Sequence, residues 1–214
     1  MTDIDMLEIN PWTSFLDTPI TKLAKTYYLF DSRRKYHNWS HIEKMFFHAR
    51  VTFGFNFDIN LAMAILFHDA IYDHLPNKEL RSAELFLEIY EIFGPMDGVD
   101  SNKVNALILD TCDHDCKTGD YRIVMLDLAD LADPVATRIN FDNIWTEGCE
   151  LSNMDVLSSN QTVYRTQGSI TFMQQLRQTV VTNKSISSNH KVFWDNVIDG
   201  IDSTIGWYTQ ILRG

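Results

Sequence analysis

Two clusters of proton-accepting side chains flank one strongly apolar segment. The first is Tyr36-His37-Asn38-Trp39-Ser40-His41 and the second is Phe67-His68-Asp69-Ala70-Ile71-Tyr72-Asp73-His74, with Leu61-Ala62-Met63-Ala64-Ile65-Leu66 between them. A run of that apolarity belongs in an interior, so the imidazole and carboxylate at its end are buried with it. Burying such groups unpaired costs several kcal/mol. A divalent metal satisfies both at once, because neutral imidazole nitrogen and carboxylate oxygen are its usual ligands. Imidazole also titrates near neutrality, which suits proton transfer.

The elements that must carry these residues read as helices. Thr18-Pro19 is an N-cap followed by proline at the first helical position, and Leu23, Tyr27 and Phe30 continue at helical spacing over 19–32. Asn38 or Ser40 caps the next helix, which runs to about Thr52 and turns His41 inward with Met45. Asp58 caps an apolar helix over 59–72 that delivers His68 and Asp69 at its end. Asn77-Lys78-Glu79 opens a helix that Gly94-Pro95 stops. A helix over 101–112 leads into Asp113-His114-Asp115. One from Tyr121 to Leu131 places Asp127 and Asp130 a turn apart on one face. The pattern weakens from 135 to 160, with Ser158-Ser159-Asn160 read as loop. Long helices near 162–182 and 190–212 then close the chain. No alternating strand pattern and no internal repeat appears. The expected fold is all-α, with residues 1–17 an acidic, loosely tied lead-in and 18–214 one domain: a metal-binding core at about 36–134 and C-terminal helices over 135–214.

Composition narrows the partners. Eighteen basic residues against 29 acidic give a net charge of −11, which argues against polymeric nucleic acid, where a basic face supplies most of the affinity. A small phosphate ligand stays open, since a metal supplies positive charge locally. Three cysteines without framework spacing fit a reducing compartment. The acidic N-terminus lacks signal-peptide layout, and no apolar run nears the roughly 20 residues of a membrane span. The expectation is a cytoplasmic protein without membrane attachment; self-association is left open.

The order His41…His68-Asp69…Asp, with the last aspartate about 60 residues downstream, resembles the HD-domain superfamily of metal-dependent phosphohydrolases, whose fold is a helical bundle. Tyr36-His37-Asn38-x-x-His41 is similar to the Tyr-His-Asn-x-x-His motif of cyclic nucleotide phosphodiesterases. Glu79-x-x-Ser82-Ala83 and Thr111-x-x-His114 look more like a compact bacterial and phage-type family of HD phosphohydrolases. The likeness spans about residues 20–180. The resemblance implies one or two divalent ions (Mn, Mg, Co, Fe or Zn) bound by His41, His68, Asp69 and a last aspartate. An Asp-Leu-x-x-Pro match favours Asp130 for that place; an Asp-Leu-Ala-x-Leu setting keeps Asp127 in contention. It further implies His37 as general acid, Asp69 as a catalytic bridging ligand, and metal-bound hydroxide as nucleophile. Tyr36, Asn38, His74 and His114 are the implied substrate-binding residues. The expected activity is hydrolysis of a phosphodiester in a nucleotide or cyclic nucleotide. The alternatives are a 5′-nucleotidase or dNTP hydrolase, a di-iron oxygenase requiring both His74 and His114 as ligands, and a nucleotide-sequestering module without turnover.

Blander roles compete for several of these residues. His74 also reads as a helix-end cap, and His48 and His190 as ordinary polar positions. Arg33-Arg34-Lys35 reads as a solvated helix end or as a phosphate-steering rim. Cys112 and Cys116 bracket His114 at zinc-like spacing but read better as free thiols. Gln167, Gln174 and Gln175 fit a solvated face, and Phe46, Phe47, Phe53, Phe55 and Phe57 fit the core.

Overall fold

The computed structural model of the chain describes residues 9–154, 159–187 and 190–213. Its helices in order are α1 (Pro11–Phe15), α2 (Pro19–Leu29), α3 (Trp39–Phe53), α4 (Ile59–Phe67), α5 (Lys78–Phe93), α6 (Ser101–Asp110), α7 (Arg122–Asp127), α8 (Pro134–Leu151), α9 (Ser159–Ile186) and α10 (Lys191–Arg213). A 3-10 turn, Ala129–Ala132, joins α7 to α8. No strand occurs among the described residues, and the fold is all-α. No helix there is long and apolar enough to cross a membrane.

Side-chain caps fix most of the helix starts, each satisfying backbone N–H groups that a first turn leaves open. Thr18 accepts from the Thr21 N–H beside Pro19, Asn38 from Ser40, Asp58 from Asn60 and Leu61, and Asp133 from Val135 beside Pro134. Gly54 closes α3 at φ +60°, where a side chain would be strained.

Helix α4 is the axis of the molecule. Every residue from Leu61 to Phe67 is buried, so this helix is apolar all round, as a helix enclosed by others must be. It packs against α2, α3, α5, α6 and α7. It ends at Phe67, earlier than its apolar pattern suggests, and Ile71 to Pro76 follow as non-helical chain.

Two stretches depart from the sequence expectation. The lead-in is tied down from Pro11: Trp12 and Phe15 of α1 are buried, and the Trp12 ring centroid lies 4.9 Å from that of Phe57. Residues 1–8 lie outside the described part. The weakly patterned stretch after 135 is the 18-residue helix α8, and Ser159 and Asn160, read as loop, already belong to α9; Ser158 is outside the described residues. The apolar stripe of α8 is interrupted because its buried face includes Thr137, Asn140 and Glu147. Of the five phenylalanines assigned to the core, Phe47 and Phe55 are more than half exposed.

The C-terminal hairpin α9–α10 packs along its length and against the 3-10 turn. At the tightest point a Cβ on Gly200 would lie 1.9 Å from the Leu131 carbonyl oxygen. No contact of that length is tolerated, so position 200 has room for glycine alone.

Candidate metal centre

Three helix ends and a loop converge beside the C-terminus of α4. The first turn of α3 contributes His41, the residues after α4 contribute His68 and Asp69, and the last residue of α7 is Asp127. His41 Nε2 lies 3.1 Å from Asp127 Oδ1 and 3.8 Å from Asp69 Oδ2. His68 Nε2 lies 3.1 Å from Asp69 Oδ2 and 4.0 Å from Asp127 Oδ1. One ligand atom from each of His41, His68 and Asp127 falls within 4.8 Å of the others. His114 Nε2 approaches the second oxygen of Asp127 at 3.2 Å. It does so from a loop where residue 114 has φ +52° and where the buried Asn183 of α9 donates to its carbonyl.

The donor atoms face one another at the end of α4. His68 Nδ1 lies 3.0 Å from the Ile65 carbonyl, so that nitrogen carries the hydrogen and Nε2 is turned to the carboxylates, the usual outer support of a metal-bound histidine. Both Nε2 atoms, of His41 and of His68, are buried without a hydrogen-bond partner; the carboxylates are near but off the ring N–H direction. Orphaned buried polar atoms are rare and call for an explanation. Two imidazole nitrogens and two carboxylates converging on a common point are a donor set suited to a divalent cation.

The electrostatics agree. Burial pushes the Asp69 carboxyl upward, but His68, His37 and His41 together hold it well below the ordinary carboxylate range. Asp127 is likewise held low, with His114 and His41 outweighing burial. Burial disfavours a charged His68, yet the Asp69 carboxylate beside it pushes the ring up to about 9.

The structure separates the two competing aspartates. Asp127 joins the cluster and Asp130 does not. The α-helix stops at Asp127, and the tighter 3-10 turn rotates residue 130 away from the face that helical spacing assigned to it. Asp130 instead binds Lys44 Nζ at 2.9 Å and His48 Nε2 at 3.1 Å, and those hydrogen bonds hold its carboxyl below the usual range.

Two of the substrate-binding candidates also move out. Asn38 is spent on the chain itself: its Oδ1 accepts from Ser40, and its Nδ2 donates to the Lys35 and Arg34 carbonyls. His74 is exposed in the turn after α4 and is absent from the cavity wall; α4 ends at Phe67, so the expected helix end at 72 that His74 would cap does not form. A di-iron site needing His74 loses a ligand. Cys112 is exposed and Cys116 buried, both are free thiols, and neither belongs to the cluster of ligand atoms found among the described residues. The three glutamines at 167, 174 and 175 are exposed.

Tyr36, His37 and His114 do line a cavity of about 300 Å³ together with His68, Asp69 and Asp127. His37 Nδ1 is 2.7 Å from Glu147 Oε1, while the Tyr36 and His37 N–H groups donate to Glu147 Oε2 at 2.7 and 3.1 Å. Burial works against this carboxylate, and the His37 pair and both backbone donors still hold Glu147 below its ordinary value. The His37 ring also stacks on Tyr72, centroids 3.8 Å apart. Glu147 and Tyr72 carried no mark in the sequence: one lies in the weakly patterned stretch, the other between two more conspicuous acids.

Arg34 departs from both readings of its basic patch. It is buried, donating to the Asp69 and Tyr27 carbonyls with its guanidinium 4.9 Å from the Tyr28 ring centroid. It is a strut under Asp69, while Arg33 and Lys35 pair with Asp31 and Glu150 at the surface.

No family model, curated protein or solved structure matches this chain.

Proposed function

We propose that this protein is a divalent-metal-dependent phosphoester hydrolase, with His41, His68, Asp69 and Asp127 holding the cation and His114 set against the outer oxygen of Asp127. The observation that carries the reading is the pair of buried, unpartnered Nε2 atoms facing two carboxylates. A cation bound there would supply Lewis-acid charge to a phosphoryl oxygen and lower the pKa of an associated water.

The chain's own residues do the rest. Glu147 accepts from Nδ1 of His37 and fixes the ring, so Nε2 is the atom left to deliver a proton to a leaving oxygen. Tyr72 stacks on that ring and restricts its rotation. Glu147 also gathers the two N–H groups that lead into His37, so the acid is held through backbone and side chain together. Arg34 holds the Asp69 backbone from beneath. The resemblance of Tyr36-His37-Asn38-x-x-His41 to phosphodiesterases favours a nucleotide or cyclic nucleotide as substrate.

The test is metal content of the purified chain together with a panel of cyclic and linear nucleotides and simple phosphoesters under Mn²⁺, Mg²⁺, Co²⁺ and Zn²⁺. Hydrolysis with at least one cation is expected, lost in a chain carrying His68→Ala and Asp69→Ala. Turnover unchanged in that double variant removes the proposal.

A further inference from the structure

The cavity beside the cluster has two chemically different ends. One end carries Asp69, Glu79 and Asp127 with their histidines; the other is walled by Phe141, Ile144, Phe172 and Leu176. Among the described lining residues Lys78 is the one lysine or arginine. It opens α5, is half-buried, and its Nζ sits 3.6 Å from the centroid of the Tyr72 ring. His37 stacks on the same ring at 3.8 Å. Two groups that close cannot share a face, so Tyr72 is sandwiched between the ammonium and the imidazole. A cation over an aromatic face is held in place without being neutralised. Lys35, Lys44, Lys103, Lys117 and Lys184 each meet a carboxylate within ion-pair distance; Lys78 meets none among the described residues. Its charge is therefore left for an anion in the cavity.

The opposite wall sets the other requirement. Phe141 and Leu176 are buried, the Phe141 and Phe172 rings lie 5.9 Å apart, and Phe172 keeps about half its surface open. The one polar group that α8 and α9 put on this wall is the buried Asn140 amide, so a sugar or polyol placed there would lose most of its hydration for a single partner. An apolar group would gain by leaving water.

We infer that the cavity takes a phosphoester with a compact apolar organic group, Lys78 binding the phosphoryl anion and the Phe141, Ile144, Phe172 and Leu176 wall receiving the organic group. This rests on the hydrolase reading and replaces its nucleotide preference with an apolar phosphoester, since the wall favours an apolar group over a sugar. It assigns Lys78 an anion-binding role and Phe172 a specificity role.

Calorimetric titration of the full chain in Mn²⁺ with methylphosphonate and phenylphosphonate, neither of which can be hydrolysed, separates the two halves. Phenylphosphonate is expected to bind about 10-fold more tightly than methylphosphonate. Lys78→Met should weaken both by about 10-fold, the scale of a hydrogen bond to a charged group, and Lys78→Arg should restore most of the loss. Phe172→Ala should bring phenylphosphonate down to the methylphosphonate level and leave methylphosphonate alone. Equal affinity for the two probes, no binding of either, undiminished binding in Lys78→Met, or an equal fall for both in Phe172→Ala overturns the inference. Phenyl phosphate turnover is read in the same samples. Tight, Lys78-dependent phenylphosphonate binding without turnover removes the hydrolase reading and leaves this site standing. Turnover with binding indifferent to Lys78 does the reverse.

Discussion

Asp127 and Asp130 lie three positions apart, each about 3 Å from a histidine, yet the two aspartates sit in opposite physical states. Asp130 is finished: Lys44 and His48 supply its donors at 2.9 and 3.1 Å, and the Lys44 side chain is half exposed to water. Asp127 is unfinished: its partners His41 and His114 are closely packed around it, His68 stands beyond, and two of these rings leave a buried nitrogen without a hydrogen bond. Residue type does not distinguish them. What distinguishes them is whether the side chains around each already satisfy one another.

The sharpest way to break that contrast is to neutralise each aspartate in turn. Asp127→Asn, like His68→Ala, should lower metal affinity by more than about 100-fold, beyond the 10–100-fold typical of outer-shell partners, with hydrolysis falling alongside. Asp130→Asn should leave both within about twofold. Metal titration followed by elemental analysis of the desalted protein checks this; equal losses at the two positions would erase the distinction.

A second effect is thermodynamic. Cation at 100 times its dissociation constant should stabilise the fold by about 2.7 kcal/mol, seen as a raised midpoint in thermal or urea unfolding. The Asp130→Asn chain should keep that increment and the Asp127→Asn chain should lose it.

Glu147→Gln tests the proton donor apart from the metal. It removes the charge that orients His37 while leaving the cluster ligands in place, so turnover should fall by about 10- to 100-fold with metal content unchanged. A parallel fall in metal content would make Glu147 a structural residue only.

Satisfied pairs should speak through stability. Hydrogen bonds from Arg122 and Lys103 outweigh burial and bring the Asp58 carboxyl from 3.8 to about 2. A carboxyl depressed in the folded state contributes stability that is fully present above its unfolded pKa and is lost as pH falls through the folded one. The contribution is about 2 kcal/mol, lost between about pH 4 and pH 2, and Asp58→Asn should flatten that limb in acid unfolding. The smallest effect belongs to Asp130, whose partners are partly solvated: Asp130→Asn should cost under about 1 kcal/mol.

Much of this was legible before any coordinates. Thr18, Asp58 and the Gly94-Pro95 stop declared their helices through cap chemistry that acts locally. His41, His68 and Asp69 came together because an apolar helix this enclosed has nowhere else to put its polar end. The choice between Asp127 and Asp130 was not legible, since it depends on where an α-helix tightens into a 3-10 turn, and Leu128 to Leu131 carry no residue that forces it. Glu147 stayed hidden for a related reason: α8 buries polar groups toward the cavity, and that erases the apolar stripe by which a helix is recognised. The acidic surroundings of Trp12 hide its burial, because charge nearby says little about where one large ring packs.

The contact at Gly200 reaches beyond packing. With no room for even one carbon between α10 and the Leu131 carbonyl, the final helix is seated directly on the turn just past Asp127. Any partner, proteolytic cut or shortened chain that loosened the C-terminal hairpin would unseat a carboxylate nearly 75 residues upstream, so the tail of this protein serves as the foundation of its centre.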